Sequence, residues 1–262
     1  MAGWLGRPSL AAVNAPTPPP HRDRLTTDVV IVGLGPAGSA AAIELRRAGR
    51  SVVAIDKAVF PRDKCCGDGL TTLGLRELEH LGLDRATIPD WFEVDGAAIR
   101  SPSGREVFVP LPGTGTYAAV APRLQLDDAL VRIARDLGAD IRDGHGFERL
   151  DQHDDHVTVF ADRLEIEARY IVAADGMWSP VRKSTGANEP GYLGEWHGFR
   201  QYARNVTGPA SKQLYVWFEP DLVPGYAWSF PLPGGRVNIG FGVLRDGTRR
   251  VQDMKQLWVD LL

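Results

Sequence analysis

The sequence is poor in cysteine, in unbalanced charge and in long apolar runs, and each shortage excludes a class of protein. Its only two cysteines, Cys65 and Cys66, are adjacent, and neighbours in sequence rarely form a disulfide, which excludes a cross-linked secreted scaffold. A formal net charge of −3 gives no general attraction to nucleic acid or anionic lipid. No apolar run reaches the roughly 18 residues that a membrane-spanning helix needs. We therefore expect a cytoplasmic protein in a reducing compartment.

The chain also lacks an internal repeat, and its 262 residues are enough to bury a large core as one large or two intertwined domains. Residues 1–24 have no hydrophobic periodicity and contain a cluster of prolines between positions 16 and 20. Such a composition cannot bury enough apolar surface to fold, and it predicts a disordered N-terminal tail.

Residues 27–56 contain every part of a dinucleotide-binding unit in order. The apolar run 29–32 predicts a buried parallel strand that ends in glycines spaced as GxGxxG. Gly33 permits a tight turn, Gly35 lets the main chain approach a pyrophosphate, and Gly38 lets the following helix pack closely on the strand. The helix N-terminus then faces the negative charge. The predicted pyrophosphate-binding residues are Gly33, Gly35, Pro36, Ala37 and Gly38.

An acid follows at the position where such folds bind a ribose. The helix predicted at 40–48 ends at Gly49, and a second strand at 51–55 leads to Asp56, about 20 residues after the glycines, where a carboxylate can accept from a ribose hydroxyl. Asp56 would repel a ribose 2′-phosphate, which disfavours NADP and leaves FAD or NAD. The positive charge of Lys57 weakens that argument, and we count both residues as candidate cofactor ligands.

A loop at residues 57–70, which we call the thiol loop, follows the second strand and is broken by proline and glycine. It places basic and thiol groups near the nucleotide crevice. Arg62 and Lys64 could contact phosphates, but exposed loop charges are the default interpretation. Cys66 is a candidate proton source or cofactor neighbour, and the alternative is an ordinary loop thiol.

The remaining pattern predicts an α/β fold, with a Rossmann-type parallel sheet and an inserted antiparallel β-sheet. Apolar spacing and turn residues give the elements. They are helices at 71–81 and 126–137, a hairpin at 94–100 and 106–110, and strands at 140–142, 156–160, 164–168 and 170–174, the last ending in Asp175-Gly176. We expect a nucleotide-binding domain at 25–92 and 121–186, an inserted β segment at 93–120, a substrate domain at 187–246 and a helical start at 247–262.

From Trp196 onward aromatic and polar residues alternate, which is typical of antiparallel strands. Tyr226, Trp228 and Phe230 fall on one face of such a strand, and period-two alternation alone favours core packing over a ligand wall. His145, His153 and His156 lie in a polar stretch that predicts a solvated turn, so we predict no metal site.

Four motifs together resemble the geranylgeranyl reductase family of flavoproteins, within the larger class shaped like para-hydroxybenzoate hydroxylase. They are GLGPAG, CCGDGL, AADGMWSPVRK and YAWSFP, and YxWxFP is the most specific. The resemblance extends from residue 27 to the end and is strongest to actinobacterial members that saturate the menaquinone tail.

That resemblance implies FAD as the cofactor and assigns roles by position. The glycines and Asp56 would hold the ADP half, Arg123 would lie near the phosphates or ribityl chain, and Asp175-Gly176 near the pyrophosphate. The segment Cys66, Gly67, Asp68 and Gly69 would lie near the isoalloxazine ring. Tyr226, Trp228 and Phe230 would line the isoprenoid channel.

The implied activity is reduction of carbon–carbon double bonds in a polyprenyl lipid, with a geranylgeranyl group or a menaquinone tail as substrate. Electrons would come from NADPH, a ferredoxin-like protein or another donor. A lipid substrate implies reversible association with the cytoplasmic membrane face, and no nucleic-acid partner is expected.

One departure from the family leaves other functions open. Family members carry a later Gly-Asp-Ala motif that is missing here, so the chain resembles an N-terminal two-thirds of the family, truncated at its C-terminus. The alternatives are a flavin-dependent aromatic monooxygenase or halogenase, which shares the fold, and a non-catalytic flavoprotein fragment.

Overall fold

The computed structural model describes residues 22–192, 194–245 and 253–261. The helices are α1 (Pro36–Arg47), α2 (Thr72–His80), α3 (Arg123–Asp136), α4 (Pro180–Ser184) and α5 (Asp253–Leu261). The strands are β1 (Asp23–Val32), β2 (Val52–Asp56), β3 (Gly69–Leu70), β4 (Phe92–Glu93), β5 (Gly96–Arg100), β6 (Glu106–Pro110), β7 (Ala119–Val120), β8 (Asp140–Asp143), β9 (Phe147–Gln152), β10 (Val157–Ala161), β11 (Leu164–Ala173), β12 (Trp196–Ala203), β13 (Leu214–Trp217), β14 (Tyr226–Leu232) and β15 (Arg236–Leu244).

The first sheet has the order β8-β2-β1-β11-β10-β9. Its first four strands are parallel, and β10 and β9 continue it in antiparallel pairing. Side chains alternate across β1, so Val29 and Ile31 pack with α1 and α3, whereas Val30 and Val32 pack with β10, β11 and Val181 of α4. The predicted Rossmann-type sheet is confirmed, and its two faces explain why β1 reads as a continuous apolar run.

Two boundaries in this sheet differ from the expectation. β11 is one ten-residue strand where two were expected, and it pairs with β1 from Asp23 onward. Residues 23 and 24, which we assigned to a disordered tail, therefore lie in a strand, and Arg22 before them donates to the carbonyl oxygen of Leu164 at 3.2 Å. Residues 1–21 of that tail fall outside the described residues. α1 begins at Pro36, earlier than predicted, because proline at the first helical position has the right φ and needs no donor.

The second sheet has the order β12-β15-β14-β13-β5-β6. The predicted hairpin is β5–β6, and β5 pairs with β13 in parallel, so this sheet is not wholly antiparallel. The hairpin therefore shares one sheet with strands that come about 100 residues later. One face of the sheet is covered by α5, where Trp258 packs its ring 5.0 Å from that of Phe199.

A small third sheet, β3-β7-β4, connects the thiol loop to the segment just before α3. β3 is the end of the loop, and its Gly69 pairs with Val120 of β7. Part of the helical start predicted at 247–262 lies outside the described residues, and α5 forms within that range. None of the helices in the described part of the chain has the length and apolar character needed to cross a membrane.

Candidate functional site

The three fingerprint glycines meet different surroundings at the carboxyl end of β1. Gly33 has a φ of +96°, and an ideal Cβ there would overlap the carbonyl oxygen of Ala174. A Cβ at Gly38 would overlap the carbonyl oxygen of Gly33. Both positions therefore require glycine for the fold itself. At Gly35 an added Cβ would meet only Arg62 Nη2 at 3.6 Å and Arg123 Nη2 at 3.9 Å. Gly35 thus leaves the N-terminus of α1 open toward two cations.

Those two arginines share one buried carboxylate. Arg62 Nη1 donates to Asp127 Oδ2 at 2.6 Å, while Arg123 donates to the two oxygens of Asp127 at 2.6 and 2.8 Å. The Asp127 side chain is fully buried, and the arginine side chains are only 18% and 17% exposed. Two positive charges and one negative leave a net positive charge beside Gly35. Together with the orphan N–H groups of α1, this is an arrangement suited to a diphosphate.

Burial lowers the pKa of Arg123, but the hydrogen bonds and charge of Asp127, with a smaller contribution from Cys66, outweigh it and leave the pKa above its ordinary value. The guanidinium is therefore permanently charged. We expected Arg62 to be an exposed loop charge, and this was wrong. Its side chain is largely buried because it pairs with the buried carboxylate of Asp127. The sequence carried a signal for this pairing, since Arg123 and Asp127 are four residues apart on one helix.

Asp56 fastens the glycine turn at the end of β2. Its carboxylate accepts from the backbone N–H of Leu34 at 2.8 Å and of Ala58 at 2.9 Å. The side chain is half-buried, and an ionised carboxylate has lone pairs to spare for a ribose hydroxyl. Lys57, next in the chain, is exposed.

Asp175 and Gly176 follow β11 after one residue, Ala174, and lie beside the same turn. An ideal Cβ on Gly33 would stand 2.8 Å from Asp175 Cα. Asp175 Oδ2 accepts from the N–H of Val181 at 3.0 Å, whereas Oδ1 is buried and has no hydrogen-bond partner in the described structure. A buried acceptor without a partner is costly, and a hydroxyl or N–H donor of a ligand would satisfy it.

The thiol loop lies on the second sheet through Asp68. This residue is buried, with a φ of +63°. Its carboxylate accepts from Tyr202 Oη at 2.6 Å, from Asn238 Nδ2 at 2.7 Å and from the N–H of Arg123 at 3.3 Å. Burial raises the pKa of Asp68 above its ordinary value, and these hydrogen bonds oppose the rise. Tyr202 and Asn238 were not predicted.

The two loop glycines bring the thiol loop against the aromatic strand β14. An ideal Cβ on Gly67 would lie 3.2 Å from Phe230 and 3.3 Å from the indole nitrogen of Trp228, and one on Gly69 would lie 3.0 Å from Phe230. Trp228 is thereby only 9% exposed, whereas Tyr226 on the same face is 42% exposed. Cys66 is half-buried in this loop.

The histidine stretch lies elsewhere. His153 and His156 stack their rings 4.2 Å apart in the turn between β9 and β10. Within the part of the chain that the structure describes, no three potential metal-binding side chains come together.

The sequence profile of the FAD binding domain family matches residues 26–216. That range contains the glycine turn, both arginines, the thiol loop and Asp175. The chain belongs to the FAD binding domain family. FAD is accordingly its cofactor, and the open cradle at Gly35, the paired arginines and the unpaired oxygen of Asp175 fit a dinucleotide that carries both phosphates and hydroxyls.

The FAD binding domain has relatives with named activities. The chain is 39% identical to menaquinone reductase of Mycobacterium tuberculosis over 241 residues. This match covers 86% of this chain and 57% of that protein. It is 31% identical over 225 residues to digeranylgeranylglycerophospholipid reductase 2 of Methanopyrus kandleri, covering 82% of this chain and 54% of that protein. The predicted likeness to geranylgeranyl and menaquinone reductases is confirmed.

A solved structure agrees with this FAD-binding fold. The geranylgeranyl bacteriochlorophyll reductase-like protein of Thermoplasma acidophilum superimposes with a TM-score of 0.77 at 24% identity, over 89% of this chain and 60% of that one. At that identity the likeness concerns the fold. The chain spans somewhat more than half the length of the curated relatives described above.

Proposed function

We propose that this protein is an FAD-dependent oxidoreductase that reduces carbon–carbon double bonds of a polyprenyl lipid, either a geranylgeranyl group or a menaquinone tail. One observation carries the proposal: the thiol loop connects the positively charged glycine turn to the aromatic strand β14. A cofactor held at the turn would therefore meet an apolar wall. The 39% identity to a menaquinone reductase supports the same substrate class.

In this proposal the FAD ligands are those grouped around the turn. The backbone at the start of α1, with Arg62 and Arg123, would bind the diphosphate, because N–H groups and guanidinium groups both favour it. Asp56 would accept from a ribose hydroxyl, and Asp175 Oδ1 would accept from a further hydroxyl. The proposed cofactor-binding residues are Gly33, Gly35, Pro36, Ala37, Gly38, Asp56, Lys57, Arg62, Cys66, Gly67, Asp68, Gly69, Arg123, Asp175 and Gly176.

FAD in its reduced form supplies hydride chemistry when bound. Reduction adds one hydride and one proton across the double bond, and the electrons come from an external donor such as a reduced pyridine nucleotide or a ferredoxin. An isolated alkene is a poor hydride acceptor, so the task of the protein is alignment and exclusion of water. Tyr226 and Phe230 offer apolar faces for this alignment, and Cys66 is the candidate proton source at the loop.

We further propose that cofactor binding and substrate binding belong to different segments of the chain. Segments 25–92 and 121–186 would form the FAD-binding domain, and segments 93–120 and 187–246 the substrate side. A lipid substrate requires access to a bilayer, so the protein would associate reversibly with the cytoplasmic membrane face. Flotation with liposomes tests this, and protein that stays wholly in the bottom fraction contradicts it.

The activity test is anaerobic incubation of the FAD-loaded protein with dithionite and either a menaquinone or a geranylgeranyl lipid, followed by mass spectrometry. We expect a product heavier by two hydrogens per reduced bond, and no product from the Gly35→Ala variant. A product that forms only with oxygen, carrying a hydroxyl or halogen on an aromatic ring, would support the monooxygenase or halogenase alternative. Failure to retain FAD would support the non-catalytic one.

A further inference from the structure

The geometry points to Asn238 as a positioning residue: its side-chain amide holds the thiol loop and the aromatic strand in one register. This assignment goes beyond the FAD ligands and the aromatic wall. Its relevance to catalysis rests on the proposed function, whereas the contact itself is measurable without any substrate.

Strand register places Asn238 at the centre of the sheet face on which the loop lies. β15 pairs with β12 and β14, so that Tyr202, Asn238 and Phe230 form one cross-strand row. The next row on the same face is Arg200, Gly240 and Trp228. Side chains two residues apart on a strand share a face, so these two rows form one continuous surface. We call it the loop seat.

Both N–H groups of the Asn238 amide and its oxygen take part in hydrogen bonds. Nδ2 donates to the carbonyl oxygen of Cys66 at 2.8 Å and to Asp68 Oδ2 at 2.7 Å, while Oδ1 accepts from the indole Nε1 of Trp228 at 3.1 Å. Indole N–H is only a donor, and a carbonyl is only an acceptor. The partners therefore set the amide orientation, and a carboxylate or an alkyl group cannot serve both sides.

Among the described residues, the other side-chain hydrogen bonds from the second sheet to the loop come from β12 and do not involve the aromatic strand β14. Arg200 Nη2 donates to the carboxylate of Asp63 at 2.5 and 2.6 Å and to the carbonyl of Lys64 at 3.1 Å, and Tyr202 Oη donates to Asp68. Among the side chains of the loop seat, Asn238 hydrogen-bonds both to the main chain of Cys66 and to a side chain of β14. It is fully buried, so water does not compete for these bonds.

Asn238 acts directly on the main chain of Cys66. Its carbonyl is held by Asn238, and its thiol contributes to the surroundings of Arg123. Loss of the amide would free the loop main chain at Cys66 and leave the Asp68 carboxylate and the Trp228 N–H short of a partner. The loop should then open more often and expose the thiol.

The test measures the rate at which a thiol reagent labels Cys66 in the FAD-bound protein. All variants carry Cys65→Ser, so that a single thiol reports. We expect Asn238→Leu to raise the labelling rate about tenfold, which corresponds to about 1.4 kcal/mol in the opening equilibrium. Ser229→Ala is the matched control, because Ser229 is also buried but lies on the face of β14 opposite to the loop seat. Its hydroxyl donates to the carbonyl oxygen of Ala210. We expect labelling within about twofold of the parent there, since the loop seat is untouched.

A second variant keeps the test decisive if Asn238→Leu does not fold. Asn238→Asp has nearly the same size and places two carboxylates together, so one proton shared between them restores a hydrogen bond as pH falls. The ratio of its labelling rate to that of the parent at each pH should therefore rise with pH, whereas the ratio for Asn238→Leu should not. The groups that face this position are Asp68, Tyr202, Arg200, Arg123 and the Cys66 thiol.

Equal labelling of Asn238→Leu and Ser229→Ala, or a pH-independent ratio for Asn238→Asp, overturns the assignment. With a polyprenyl substrate, we expect the Asn238 variants to lose kcat with KM little changed, because FAD and lipid surfaces remain. If the parent reduces no polyprenyl lipid but the labelling results are as expected, the proposed function fails and the positioning role stands.

Discussion

At the scale of single residues, glycine serves two separate purposes in the fingerprint. Gly33 and Gly38 are required by backbone contacts inside the turn, whereas Gly35 faces two guanidinium groups across open space. A GxGxxG pattern read in one sequence cannot separate these purposes, because the separation depends on which atoms face each Cα. Substitution by alanine distinguishes them.

We predict that Gly35→Ala keeps the fold and loses the cofactor. Its backbone is extended, with a φ of −69°, which alanine adopts without strain. Stability of the FAD-free protein should stay within about 0.5 kcal/mol, while FAD affinity falls at least about tenfold as main-chain hydrogen bonds of roughly 1.5–3 kcal/mol are blocked. Gly38→Ala should instead cost about 3 kcal/mol or more of stability. Urea unfolding measures the stability of both variants, and flavin fluorescence titration measures their FAD affinity. Similar FAD affinity in Gly35→Ala and the parent would contradict the role of Gly35 in cofactor binding.

Asp127 is important because it is the buried carboxylate that both arginines share. We predict that Asp127→Asn lowers the free energy of unfolding by about 3 kcal/mol, because it leaves two nearly buried arginines without their carboxylate. Asp128→Asn is the control on the same helix: its partner Arg132 is 67% exposed, so the loss should be about 0.5 kcal/mol or less. Chemical denaturation decides, and equal losses in the two variants would show that the arginine pair does not depend on Asp127.

At the scale of elements, the strongly patterned segments were predictable. The β1-α1-β2 unit, α3 and the β5–β6 hairpin were expected where they form, although β1 begins at Asp23, six residues before the predicted strand at 29–32. β11 was split wrongly in two, because its charged outward residues interrupt the apolar pattern although β1 pairs along its whole length. The parallel pairing of β5 with β13 had no local signal, since it joins segments far apart in sequence.

Strand β15 shows what alternation can reveal when both faces are considered. One face of the strand is apolar, and the opposite face has small residues at its centre, between Arg236 and Leu244 at the two ends. The apolar face is formed by Val237, Ile239, Phe241 and Val243, and the small residues are Asn238, Gly240 and Gly242. A face of small residues within an otherwise apolar strand indicates that another segment packs closely against it. At Asn238 that segment is the thiol loop, and at Gly240 it is the indole of Trp228.

We predict that Gly240→Ala destabilises the protein by about 1–3 kcal/mol, because an added Cβ would stand 2.5 Å from Trp228 Cζ2 and against the backbone of Phe199. Gly242→Ala on the same strand meets only His197 O at 3.8 Å and should change stability by about 0.5 kcal/mol or less. Thermal denaturation compares the pair; an equal loss at both positions would mean that strand propensity, not contact with Trp228, sets the cost.

At the scale of the whole molecule, the cofactor site draws on the first sheet and the thiol loop, and the loop in turn lies on the second sheet. Binding of FAD to the folded state alone should therefore stabilise the whole chain by mass action. At about 100 times its dissociation constant, FAD should add about 2.7 kcal/mol to the free energy of unfolding. Calorimetry with FAD, and with riboflavin as a control that lacks the diphosphate, measures this. A shift that is equally large with riboflavin would place the affinity away from the glycine turn.

The sequence by itself determined the dinucleotide-binding unit, because strand and helix periodicity, glycine spacing and the acid after β2 are local properties. The choice of FAD, and candidate ligands such as Arg123 and Asp175, came from the resemblance to the geranylgeranyl reductase family. Only the tertiary structure decided that Arg62 and Arg123 share Asp127, that Asp175 has an unpaired oxygen, and that Asn238 joins the thiol loop to Trp228. Each of these depends on groups distant in the chain, and burial sets their strength. The spatial distance between such groups and the burial of their side chains cannot be predicted from the local sequence pattern.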